Sequence, residues 1–142
     1  MSSAEIARRL RDITERAVRY RIDRLIREGV IRVSALVNPK AIGLPVTADI
    51  SVEVEAGRAM EVAQRLTEFE YVGYVGCSTG DREVSIQVYA RDNEELYRFA
   101  AETVGSVPGV RKTSTHLVPL VLKDTYQWQI PDAVCKGETD EL

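Results

Sequence analysis

Cysteine is nearly absent from this chain. Cys77 and Cys135 are the only two, and they stand far apart. That pair supplies neither a disulfide framework nor the spacing of a metal-ligand cluster. The expectation is therefore no metal, no cofactor and a reducing, cytoplasmic setting. Histidine is scarcer still, with His116 alone. No paired carboxylates or nucleophile–base arrangement accompany it, so no catalytic residue is assigned. No apolar run approaches the roughly 18 residues of a bilayer crossing, and no signal peptide opens the chain, so no membrane association is expected. The net charge is small, −3 over 142 residues, and the composition is otherwise that of a globular protein.

The small net charge conceals an uneven distribution. Residues 1–32 carry nine arginines against five acids, whereas the remainder carries 10 Lys/Arg against 17 Asp/Glu. Basic residues gathered at one end of an acidic chain are the electrostatic footprint of a nucleic-acid-binding segment. Within that end, Thr14 to Gly29 (TERAVRYRIDRLIREG) organises the chain. Thr14 is a natural N-cap and Gly29 a natural residue to follow the helix end. Val18, Ile22, Leu25 and Ile26 recur at helical spacing as one apolar stripe. Arg16, Tyr20, Asp23 and Arg27 lie opposite, flanked by Arg19 and Arg24. Such a face suits the major groove of DNA, although an amphipathic surface helix whose arginines meet solvent has the same composition. Residues 3–10 (SAEIARRL) form a shorter helix capped by Ser3, with Ile6, Ala7 and Leu10 facing inward, and Arg11-Asp12-Ile13 turns the chain into Thr14. A helix, a three-residue turn and a helix with a basic outer face make a helix-turn-helix. About thirty residues bury too little surface to stand alone, so this piece needs the rest of the chain or a partner subunit.

After Gly29 the period changes from 3.6 to 2. Val30 to Val37 reads as a strand ended by Asn38-Pro39, and a connector runs to Pro45. Val46, Ala48, Ile50, Val52 and Val54 then alternate with polar residues as a strand with one buried face. A helix follows over 58–69, then a strand from Tyr71 to Thr79 and a turn at Gly80-Asp81. A third strand carries Val84, Ile86, Val88 and Ala90. Asp92 caps a helix stopped by Pro108-Gly109, and a fourth strand spans Val110 to Leu122. The order βαββαβ predicts an α+β ferredoxin-like plait, with four antiparallel strands and both helices on one face. The other sheet face is left bare and mixed in character, which points to a dimer. An acidic tail, 124–142, closes the chain; its first residues are expected to pack on a neighbour and its last ten or so to be mobile.

Residues ARRLRDITERAVRYRIDRLIREGVI, the VNPKAIG turn, STGDRE and SVPGV together resemble the Lrp/AsnC (feast/famine) transcriptional regulators over about residues 3–123. The resemblance implies an N-terminal (winged) helix-turn-helix DNA-binding segment at 1–32, a linking strand and turn at 33–45, and a ferredoxin-like ligand-sensing and oligomerisation (RAM) domain at 46–123. It further implies double-stranded DNA as partner, an amino acid or related metabolite as effector, and homodimers that gather into octamers or other assemblies. The family's first helix has no counterpart in the sequence as it stands, so the helix-turn-helix is expected to be incomplete.

Carried over by position, Thr14 would cap the recognition helix, while Arg16, Arg19 and Tyr20 would face base edges. Arg8, Arg9 and Arg21 would meet phosphates or hold the fold. Arginine can bond bidentately to guanine, whereas phosphate contacts set register. The family's effector loop corresponds to Thr79, Gly80, Asp81, Arg82 and Glu83. Backbone N–H groups around Gly80 can take an α-carboxylate, and Asp81 or Glu83 an α-ammonium. Gly80-Asp81 is equally a plain hairpin turn. Arg82 stands where the family has an aromatic, which puts a simple hydrophobic amino acid in doubt as ligand. Two rival readings share the architecture. One is a sirohaem decarboxylase-like enzyme, for which only His116 is on offer and a satisfied strand histidine is the plainer reading. The other is a sensing or assembly module that acts on partner regulators without touching DNA.

Overall fold

The computed structural model describes residues 1–80, 83–124, 127–132 and 134. The chain divides into two compact units, residues 1–37 and 38–142.

In the first unit, α1 spans Ser3–Leu10 and α2 spans Glu15–Arg27. The cap of α1 is Ser2, not Ser3. Its hydroxyl accepts from the Glu5 backbone N–H at 3.2 Å, and the Glu5 carboxylate accepts from the Ser2 N–H at 2.6 Å. A capping box requires an acid three residues after the cap, and only Ser2 has one. Thr14 caps α2 as expected, its hydroxyl accepting from Ala17 N–H at 3.2 Å. At the other end Gly29 takes φ +72°, Gly29 N–H donates to Ile26 and Val30 N–H donates to Leu25. This is the Schellman arrangement, which satisfies otherwise orphaned carbonyls. Val18 is the one buried residue of the pair of helices, with Ile6, Ala7, Ile13 and Ile22 half-buried. Leu10 does not face inward: it is 56% exposed. Two short helices offer each other only one contact line, so the apolar stripe is wider than the surface available to cover it.

The strand expected over Val30–Val37 does not form; residues 31–38 have no regular structure, and Val30, Val33, Leu36 and Val37 are exposed. Alternation gives a strand its two faces, but a ladder needs a neighbour to hydrogen-bond with, and among the described residues this segment pairs with no strand.

The second unit opens with a 3-10 turn at Pro39–Ile42, capped by the Asn38 side chain. The elements that follow are β1 (Val46–Val54), α3 (Ala59–Leu66), β2 (Val72–Cys77) and β3 (Val84–Ala90). A helix, α4, then runs from Asn93 to Arg98 and widens into a π-helical stretch, Phe99–Val104, before β4 (Val110–Leu117). The sheet order is β2-β3-β1-β4, antiparallel throughout, which is the ferredoxin-like plait. β4 ends at Leu117 rather than Leu122. Val118 N–H still donates to Thr47 C=O at 2.8 Å, but Pro119 has no N–H to continue the ladder.

Ala48, Ile50, Val52 and Val54 of β1 and Val84, Ile86, Val88 and Ala90 of β3 form one core with Val62, Leu66, Leu96, Phe99 and Val104 from the helices. Phe99 sits edge-on to Phe69 (centroids 5.7 Å apart) and Tyr71 (5.9 Å). Beside this core Glu95 is held by four donors. Its Oε1 accepts from Arg91 Nε at 2.9 Å, Arg91 Nη2 at 2.6 Å and Tyr71 Oη at 3.2 Å, and its Oε2 accepts from the Arg91 backbone N–H at 2.7 Å. The Arg91 guanidinium first, then that N–H and the tyrosine hydroxyl, bring its pKa from 4.5 to about 2, against the opposing pull of desolvation. A folded pKa below the unfolded one gives stability that is complete above about pH 5 and is lost as the pH falls towards 2. Glu95→Gln is expected to lower the Tm at neutral pH, and its gap to the wild type should close over that window when Tm is followed against pH. A gap that stays constant down to pH 2 would mean the carboxylate charge plays no part.

Candidate functional site

The basic face of α2 comes from its capping and its period. Arg16, Tyr20, Asp23 and Arg27 fall on one side and are exposed, Tyr20 by 64%. Two cations near this face are engaged: Arg19 Nη2 pairs with Glu15 at 2.8 Å and Arg24 Nε with Glu28 at 2.7 Å. Arg16, Arg21 and Arg27 have no ion-pair or hydrogen-bond partner among the described residues, and the same holds for Arg9 on α1. The Arg8 Nε reaches only the Ala4 carbonyl, at 3.4 Å. Four of the seven candidate DNA-contact residues thus share α2 with Arg27, Arg8 and Arg9 lie on α1, and Thr14 is committed to its cap. Uncommitted guanidinium groups leave no internal bond behind when they meet phosphate or base, whereas Arg19 must first leave Glu15.

The second candidate site is the β2–β3 hairpin. Cys77 pairs with Val84, and Ser78 N–H donates to Glu83 C=O at 2.8 Å, which brings Thr79, Gly80 and Glu83 into one tight loop. Gly80 has φ +128°, a conformation open to glycine and strained for other residues. Thr79 and Gly80 are exposed. Asp81 and Arg82 lie outside the described residues. Glu83 is half-buried, and among the described residues its Oε2 is shut off from solvent with no hydrogen-bond partner. A carboxylate oxygen removed from water and given no donor is costly, so it marks a place for one.

The bare sheet face carries a network not read from the sequence. Gln87 Nε2 donates to Asp49 Oδ1 at 3.1 Å, and Tyr89 Oη donates to Gln87 Oε1 at 3.0 Å. Two adjoining grooves, about 530 and 400 Å³, share Gln87, Tyr89 and Asp124. Gly73 makes room for the Tyr89 ring, since a Cβ there would lie 2.5 Å from Tyr89 Cε2. The signal was present in the antiparallel register, which sets Asp49 opposite Gln87, but 38 residues of chain separate them. His116, opposite Asp49 on β4, is exposed, lines neither groove and has no hydrogen-bond partner among the described residues, so it is not the satisfied strand histidine expected from the sequence. Among the described residues no three His, Cys, Asp or Glu side chains are grouped to hold a metal, and no helix is long and apolar enough to cross a membrane.

A helix-turn-helix followed by a four-stranded βαββαβ plait defines a two-part α+β protein of the kind built from a DNA-binding segment and a ligand-binding domain. Residues 47–128 match the model of the Lrp/AsnC ligand binding domain. The chain belongs to the Lrp/AsnC family of transcriptional regulators. It is 39% identical over 127 residues to an uncharacterized HTH-type transcriptional regulator of Pyrococcus abyssi, covering 89% of this chain and 80% of that protein. It is 33% identical over 120 residues to the HTH-type transcriptional regulator LrpA of Pyrococcus horikoshii, covering 84% of each. Escherichia coli AsnC superposes with a TM-score of 0.76 at 20% identity, over 92% of this chain and 86% of that one. A Neisseria meningitidis transcriptional regulator solved as its L-Met complex superposes with a TM-score of 0.81 at 22% identity, over 91% and 85%. At these identities the structural likeness speaks to the fold.

Proposed function

We propose that this chain binds double-stranded DNA with sequence preference and that its assembly and DNA affinity respond to an amino acid or related small metabolite. The observation that carries the DNA half is the exposed face of α2, where Arg16 and Arg27 flank Tyr20 and have no internal partner among the described residues. Arg16, Arg19 and Tyr20 read bases in this proposal; Arg8, Arg9 and Arg21 contact phosphates, and Thr14 holds the helix start. The bare sheet face supports a homodimer, and further association into an octamer would place effector sites between dimers. The test is fluorescence anisotropy on DNA from upstream of the chain's own gene, across a salt series, with and without a pool of common amino acids. Tight, salt-sensitive binding that survives random competitor and shifts with the pool is the expected result. Binding to all DNA alike, unmoved by the pool, would overturn both halves.

The effector half rests on the hairpin at Thr79, Gly80, Asp81, Arg82 and Glu83. The Glu83 Oε2, unpartnered among the described residues, suits a ligand ammonium, and the N–H groups around Gly80 suit its carboxylate. The L-Met bound by the Neisseria regulator is an example of such a zwitterion on the same fold. Glu83→Gln keeps the shape of the side chain and removes its charge, so it is expected to abolish the response to the pool while leaving effector-free DNA binding within about twofold. An unchanged response would remove Glu83 from the site.

A further inference from the structure

We infer that Asp23 is a specificity-determining residue of the DNA interface, its carboxylate accepting from the N4 amine of a cytosine in the major groove. The inference rests on the proposal that α2 reads DNA, and it adds a base that the arginines do not select. Asp23 is exposed and stands in the row Arg16, Tyr20, Asp23 and Arg27, on the side of α2 away from the buried Val18.

The state of its carboxylate singles it out. Three acids belong to α2 and its C-terminal cap: Glu15, Asp23 and Glu28. Glu15 is neutralised by Arg19 at 2.8 Å and Glu28 by Arg24 at 2.7 Å. Asp23 has Arg19 four residues before it and Arg27 four after, the spacing at which ion pairs form along a helix. Yet Arg19 is turned to Glu15, and neither Asp23 nor Arg27 has an ion-pair or hydrogen-bond partner among the described residues. A bare negative charge within a row of cations weakens attraction to phosphate, so a neutral residue there would bind every DNA better. What offsets that repulsion is a hydrogen-bond donor, because an ionised carboxylate can only accept. In the major groove cytosine presents its N4 amine, whereas guanine and thymine present acceptors, and adenine sets its N6 amine beside the N7 acceptor. Cytosine is therefore matched, and a carboxylate held against an acceptor edge penalises the wrong base. Seven residues separate Asp23 from Arg16, about 10 Å along a helix axis, or roughly three base-pair steps.

The test is selection of duplexes from a randomised pool by the full chain, for wild type, Asp23→Ala, Asp23→Asn and Arg16→Ala. Anisotropy titrations of the selected duplex, its single-position variants and a random duplex follow. Wild type should prefer cytosine about tenfold at one position, about three base pairs from the one relaxed by Arg16→Ala. Asp23→Ala should lose that preference, keep the others, and bind the random duplex about two- to fivefold more tightly, a gain that shrinks as salt rises. Asp23→Asn should move the choice from cytosine to adenine, since an amide offers both a donor and an acceptor. The position is exposed, so both variants should melt as the wild type does. An Asp23→Ala variant with the wild-type preference at every position would overturn the inference and leave the DNA reading in place. Loss of preference at all positions together would also overturn it, because Asp23 would then hold α2 in place rather than read one base. A wild type that selects no sequence would remove the DNA reading and this inference with it.

Discussion

Ile50→Ala is expected to destabilise the second unit by about 2–5 kcal/mol, the usual cost of deleting a fully buried aliphatic side chain. Ile50 has no solvent exposure and lies in β1 between Ile86 of β3 and Thr115 of β4. Neighbours on both sides are tied by sheet hydrogen bonds, so the cavity cannot collapse cheaply. Alanine also fits a pleated strand less well than isoleucine. Against a typical total of about 5–15 kcal/mol, the variant would keep only part of its stability. A fall in Tm of roughly 10–30 °C should appear in circular dichroism melts. Asp49→Asn, one residue away on the opposite face, should change stability by no more than about 0.5 kcal/mol. A Tm drop below about 3 °C for Ile50→Ala would mean that β1 is not the centre of the core.

The contrast between Ile50 and Asp49 also shows what was legible in the sequence. Strict alternation over Val46–Val54 and Val84–Ala90 marked which side of each strand is buried, because the period-2 pleat leaves no other way to hide four aliphatic residues in a row of nine. Caps at Thr14 and Asp92 were equally plain, since a hydroxyl or carboxylate before a helix start serves a local, predictable donor. The same alternation misled at Val30–Val37, where the pattern of a strand exists without a neighbour to pair with. It misled again beyond Leu117, where Pro119 ends the ladder although aliphatic residues continue. The Asp49–Gln87 bond, and the Tyr71–Glu95 bond across 24 residues, depend on register and packing, and to a single-sequence reading they look like ordinary solvent-facing polar positions. Of the two proposed functional sites, the arginine face was visible as composition. Which arginines are free was not, since the Glu15–Arg19 and Glu28–Arg24 pairings compete only once the helix is formed.

Those pairings set the expected result for the DNA-binding helix. Arg16→Ala should weaken binding to the preferred site by about 1–3 kcal/mol and relax base choice at one position, as expected for loss of a bidentate guanine contact. Arg21→Ala, which removes a cation proposed to meet phosphate, should weaken specific and random DNA alike and lower the salt slope by about 1. Arg19→Ala should fall below Arg16→Ala in effect, because Arg19 first gives up its 2.8 Å contact with Glu15. That pair is exposed on both sides and is worth at most about 1 kcal/mol, so it delays Arg19 without disabling it. The companion change, Glu15→Gln, should therefore strengthen DNA binding, by freeing Arg19 and by removing a negative charge from the approaching face. Anisotropy titrations of the four variants on specific and random duplexes separate these outcomes. Equal losses on both duplexes for Arg16→Ala would turn Arg16 into a phosphate contact. A Glu15→Gln variant that binds no better than wild type would mean that Arg19 takes no part in the DNA interface.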